Sequence, residues 1–467
     1  MHDRLFDGMR GIFLFYMRDK RKNILNDDRV GRLLFKLALP AFVGMFVMTL
    51  YNIVNTIFIG HYVGSLGIAG LSIVFPIQMI AVGIGLMMGM GGASLMSISL
   101  GAGNTGRAEH ALGNAITYTF IASFILMIFG LAKMDFCLSF MGASETILPY
   151  ARDYMRIIMI GMFFQTFAMT FNSLIRAEGN ARVPMIGMLA GAILNIILDA
   201  IFIIYLKMGV TGAALGTVIA EMISVAYFLY YYVGKKSYLK IHLKNFNINW
   251  GIFKSIVSIG VSAFVMAVAG SVSALFVNRL CLAYGGDIAV SAYGIINRIV
   301  MFALMPAIVI SQGLQPIVGF NYGARNHERI LKAIRIAVLS ATSSCTAAFI
   351  FLELFPQVFI GIFTYDLELV SLASHAIRRI FATAYLIGFI IIGSTVFQSI
   401  GKPVQAFVTS TARATLFLIP SIFTLPGFLE LDGVWWSFPI AEILTFALTM
   451  TLFFRQMRLF HEKTPDD

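Results

Sequence analysis

Asp199 lies inside the apolar run from Met185 to Leu206. A carboxylate at the centre of a membrane helix costs about 2.5–3.5 kcal/mol on insertion scales, so it reads as an ion or proton site. Asn195 stands four residues earlier and therefore on the same helical face. Depth along neighbouring apolar runs, at about 1.5 Å per residue, puts Asn55 and Thr217 in the Asp199 layer, with Asn195 paired to Glu221 one turn deeper. Five oxygen-bearing side chains on three helices within two layers form the donor set that a small hard cation or a proton relay needs. Sodium at Asp199, Asn195 and Thr217 is one such occupant, a proton the other. Cys137, Cys281, Cys345 and the seven histidines show no ligand spacing, so neither an enzyme nor a resident cofactor is expected.

The elements that position these groups are membrane helices. Hydrophobic residues make up 59% of the 467 and charged residues only 12%, which marks a polytopic all-α integral membrane protein. Apolar runs predict twelve spans, at roughly 37–60, 66–99, 111–132, 154–175, 184–206, 211–233, 252–283, 288–320, 331–353, 375–400, 404–427 and 434–455. The net charge of +11 does not mark a nucleic-acid protein, because the basic residues crowd the N-terminus, the Lys235–Lys254 segment and the even-numbered loops. That pattern places both termini in the cytoplasm. Residues 11–17 are apolar but lack a cleavage site, and read as a surface segment or a tail.

The chain repeats at a steady offset. Pro40-Ala-Phe-Val resembles Ser262-Ala-Phe-Val, Gly101-Ala-Gly-Asn resembles Tyr322-Gly-Ala-Arg-Asn, Gly179 matches Gly401, and Gly212 with Ala220-Glu221 matches Gly433 with Ala441-Glu442. Six spans per half is even, so the halves are parallel and related by an axis along the membrane normal. The expected organisation is a tail (1–32), a six-helix lobe (33–234), a linker (235–254), a second lobe (255–455) and a tail (456–467). Prolines at Pro40, Pro76, Pro306, Pro316 and Pro420 offer places to bend. In the second lobe Asn297, Arg298, Met301, Met305 and Gln312, with Gln165 in the first, are expected to line a cavity between the lobes. Arg298 and Arg413 need partners, for which Glu442 or a backbone carbonyl would serve.

The stretches Leu39 to Gly60, Arg176 to Asp199 and Val210 to Glu221, together with the repeat over residues 30–460, resemble the multidrug and toxin extrusion (MATE) transporters, on the branch of the DNA-damage-inducible and staphylococcal multidrug exporters. The resemblance implies export of cationic or amphipathic small molecules in exchange for sodium or protons, by alternating access, from a bacterial inner membrane. It also implies a cation site at Asn195, Asp199, Thr217 and the Ala213 backbone, and a first helix that bends at Pro40. Where many relatives carry an aspartate, this chain has Asn55, and Glu221 is the acid available to replace it. A flippase for lipid-linked oligosaccharide or cell-wall precursor is the alternative, although that cargo calls for more cationic groups within the spans. Lipid and the substrate are the expected partners, and a monomer the expected state.

Overall fold

The computed structural model describes residue 25 and residues 29–461 except 235 and 241. The predicted segment 11–17 and the last six residues lie outside these. Among the described residues every regular element is helical.

Six helices long and apolar enough to cross a membrane build the first lobe: Val30–Tyr62, Leu66–Gly101, Thr105–Ala132, Leu148–Ala177, Arg182–Tyr205 and Gly209–Val233. The seventh and eighth crossings are the two arms of Trp250–Gly323, which turns back at Gly286, where φ is 64°. His327–Leu354 is the ninth. The tenth is broken, Leu367–Ile380 and Ala384–Ser399 meeting at 51°, and Pro403–Thr424 and Pro426–Phe460 complete the second lobe. This is a multi-pass membrane protein with the twelve expected crossings, although the last starts earlier than its apolar run suggests and bends at Glu430, where φ is 52°.

The repeat is visible in turn chemistry as well as in sequence. The third and ninth helices start at Asn104 and Asn326, whose side chains accept from the backbone of Arg107 and Arg329. Each cap follows a left-handed residue, Gly103 at φ 75° and Arg325 at φ 59°. Gly179 and Gly401, at φ 81° and 69°, end the fourth and tenth spans in the same way. Even the short helix Met134–Phe140 between the third and fourth spans has its counterpart in Pro356–Gly361.

The lobes meet through backbone rather than through bulky side chains. A methyl group at Gly91 would collide with the Ile256 carbonyl, and at Gly260 with that of Met87; Gly101 and Gly323 sit equally close to Phe320 and Ile98. Ser94 donates to the Gln398 carbonyl at 2.7 Å and Gln315 to that of Met90 at 3.3 Å. All of these contacts lie in the half of the molecule that carries Gly101, Trp250 and Gly323. In the other half the second helix packs on its own lobe, Val74 and Ile77 against Tyr154, Met155 and Ile158. The lobes therefore part away from the end that carries Gly101, Trp250 and Gly323.

Glu178, in the connection after the fourth span, is 7% exposed and accepts from Tyr231 Oη at 3.0 Å and Ser237 Oγ at 2.8 Å. It ties the fourth span to the segment that leads to the second lobe. Burial pushes its carboxyl up to about 7, against the pull of these hydroxyls. The folded protein thus holds a proton that the unfolded chain releases above its ordinary range, and stability from this group is full in acid and is lost as pH rises through about 7. The shift corresponds to about 3 kcal/mol. Glu178→Gln should flatten the melting midpoint between pH 5 and 8 relative to wild type; identical slopes for both proteins would contradict the assignment.

Candidate cation site and cavity of the first lobe

The fifth span is an α-helix from Arg182 to Asp199 that passes into a π-helical turn over Ala200–Tyr205, with Leu206 N bonding back five residues to Ile201 O. Such turns carry an extra residue and recur at functional sites. This one begins directly after Asp199. Asn195 and Asp199, 2% and 1% exposed, face the sixth span, where Gly216 has no side chain and leaves room for Asp199 Oδ1. With its amide nitrogen towards the acid, Asn195 donates to Asp199 Oδ2 at 3.1 Å and its oxygen accepts from the Thr217 hydroxyl at 3.2 Å. Thr217 Oγ1 also lies 3.0 Å from Ala213 O, which brings that backbone group into the same network.

The first span joins through packing. Ile59 is fully buried against Ile203 and Ala213. Asn55, Asp199 and Thr217 each lie four residues from one of these three, in each case one turn deeper. Two oxygens in this layer, Asp199 Oδ1 and Asn55 Oδ1, are buried without a hydrogen-bond partner among the described residues. Buried acceptors rarely stay unsatisfied, and a proton or a bare cation is the partner that a carboxylate and an amide oxygen share.

A cavity of about 50 Å³ lies beside this layer, between the first, fourth, fifth and sixth spans. Asn195, Thr217, Glu221 and Asn172 supply its polar wall, and Met48, Tyr51, Met169, Met188 and Phe228 its apolar one. That volume holds a few waters or a small cation and falls short of a drug-sized molecule in this conformation. Glu221 is half-buried and has no hydrogen-bond or ion-pair partner among the described residues. Asn172 Oδ1 is a further buried acceptor without a donor.

The other expected cavity residues do not gather here. Gln165 and Gln312 are half-buried away from this cavity, and Met305 is 1% exposed. Asn297 and Arg298 are exposed and Met301 is 48% exposed. The ion pair expected for Arg298 is corrected: among the described residues it makes none, its position being exposed and beyond the reach of any acid. Arg413 does find Glu442, at 3.0 Å. Pro40 lies within an uninterrupted first helix. Asn172 and Tyr51 were not singled out from sequence, and nothing in their spacing marks them; Met188, four residues from Ala192 on the cavity face, was within reach of the helical period.

Comparison with known proteins agrees with this architecture. Over 436 residues the chain is 29% identical to the multidrug export protein MepA of Staphylococcus haemolyticus, covering 93% of this chain and 95% of that protein. A crystal structure of MATE in complex with MaL6 superposes with a TM-score of 0.90 at 25% identity, covering 95% of this chain and all of the other. The outward-facing conformation of a multidrug resistance MATE family transporter of the MOP superfamily gives 0.89 at 25% identity, over 94% of this chain and 98% of that one. The MatE family model matches residues 40–201 and 259–424, which fall one in each lobe and together cover most of the chain, and on that ground this protein belongs to the MatE family.

Proposed function

We propose that this protein is a secondary active exporter that expels cationic or amphipathic small molecules in exchange for sodium or protons. The buried, unpartnered Asp199 Oδ1 carries the reading, since a bound cation would complete it. Asn195 and Thr217 orient the carboxylate, Asn55 adds a neutral oxygen, the Ala213 carbonyl lies within the same network, and Glu221 in the adjoining cavity is the second acid. Neutralising Asp199 lets the first lobe pack more tightly around the site, whereas an empty, charged site favours a hydrated and wider cavity. A cation that distinguishes these two packings drives alternation between the lobes. Pro40 is the place where the first helix would bend in that change.

The basic segments support a cytoplasmic side for both termini, the linker at 235–254 and the glycine seam, and on that reading the lobes part towards the outside. The flippase alternative is not favoured, because with Arg413 engaged by Glu442 the two span arginines leave Arg298 alone, where a diphosphate calls for several cationic groups. The test uses proteoliposomes loaded with an aromatic cation, on which sodium and pH gradients are imposed separately. Uphill movement of the probe under at least one gradient is expected; equilibration alone under both would overturn the proposal.

The replacement in the first span makes a second prediction. Asn55→Asp places another carboxylate beside Asp199, and two close acids titrate as a coupled pair. The pH profile of transport should shift in a mutant expressed at wild-type level. An unchanged profile would remove Asn55 from the site.

A further inference from the structure

The repeat offers an internal comparison of the two lobes. At the offset of 221 that relates Gly212 to Gly433, Glu221 corresponds to Glu442 and Ala192 to Arg413. The fifth and eleventh spans start in register, at Arg182 and Pro403; Ala192 lies eight residues before the π turn of its span, whereas Arg413 opens that of its own. In the first lobe Ala192 and Glu221 line the same cavity, and among the described residues no side chain pairs with the acid. In the second lobe Arg413 Nη2 donates to Glu442 Oε1 at 3.0 Å and Thr383 Oγ1 donates to Oε2 at 2.6 Å. Both oxygens of that acid, which is 1% exposed, are satisfied from within the protein.

The other coupling positions have lost their oxygens. Asn195 corresponds to Leu416, Asp199 to Pro420 and Thr217 to Phe438. Yet each lobe opens a π turn at its charged group: directly after Asp199 in one, and at Arg413 itself in the other. The two turns are not at corresponding positions, but one adjoins an anion in the first lobe and the other a cation in the second.

We propose that Arg413 is a tethered cation, standing against Glu442 where the first lobe takes an exchangeable one. The second lobe therefore contains a cation-binding site that its own guanidinium fills, and it is charge-balanced throughout the cycle. Arg413 restricts ion coupling to the first lobe and so sets the number of cations exchanged. A planar fork with several donors fits an acid already holding a hydroxyl on its other oxygen, and the vacated site should accept a free guanidinium.

Two measurements test this, and the first does not depend on transport. Arg413→Ala in the full-length purified protein should lower the melting midpoint, and methylguanidinium should restore it where the neutral isostere methylurea does not. In Arg413→Ala with Glu442→Gln the rescue should disappear, since no acid remains. A destabilised Arg413→Ala protein indifferent to methylguanidinium, or one rescued equally by methylurea, would overturn the site. The second measurement rests on the exchange reading above and counts cations released when substrate is added. Arg413→Gln should release twice as many per protein as wild type, and Arg413→Gln with Glu442→Gln should return to the wild-type number. An Arg413→Gln protein that melts normally and releases the wild-type number would overturn the role in stoichiometry. Absence of release from wild type would instead count against the exchange reading and leave the rescue experiment as the judge of the site.

Discussion

Asp199→Asn leaves a folded, membrane-inserted protein that no longer accumulates substrate against a gradient. The substitution nearly conserves volume in a position 1% exposed, and the neighbouring room left by Gly216 is kept. It removes an acceptor that has no partner on Oδ1, so folding should be unchanged or slightly improved. Coupling, in contrast, requires a group whose charge is cancelled in one packing of the lobe and solvated in the other; an amide has no such pair of states. Substrate should still bind and cross slowly down its own gradient. Gradient-driven transport in proteoliposomes at matched protein density should fall to the level of empty vesicles, and retention of full coupled activity would shift the coupling role to Glu221.

The second large effect concerns the seam. Gly91→Val should trap the protein away from the conformation seen here. The obstacle is the Ile256 carbonyl, a backbone atom that no rotamer change can move aside, so the seam between the second and seventh helices must open. Overpacking of this kind costs about 1–3 kcal/mol, enough to change a two-state population by about fivefold to a hundredfold. A cysteine introduced at Ala263, fully buried near the seam, should then react faster with a membrane-impermeant maleimide applied from the side of the termini. Reaction at the wild-type rate, in a protein that still transports, would show that the seam is not a gate.

The parts legible in the sequence were those with a simple period. Spans announce themselves as apolar runs of membrane length, and the repeat survives in Gly179 and Gly401 or Asn104 and Asn326 because left-handed turns and helix caps tolerate few residue types. Asp199 and Asn195 were legible by their four-residue spacing, and Thr217 by depth. Facing was not. Whether Asn55 meets Asp199 depends on how Ile59 packs on Ile203 and Ala213, and whether Arg298 is buried depends on the rotation of its helix; neither is encoded locally. The π turns at Ala200 and Arg413 change that rotation without a residue type to mark them. The glycine seam is equally silent, since Gly91 against Ile256 is a contact between backbones far apart in the chain.

The central claim is that Asp199 holds a cation which substrate and conformational change displace. Purified protein in weakly buffered detergent, with a pH indicator and with radioactive sodium in parallel, measures the displacement directly when an aromatic cation is added. Wild type should release a cation in proportion to the substrate bound, and Asp199→Asn should bind substrate and release none. Equal release from both proteins would contradict the account.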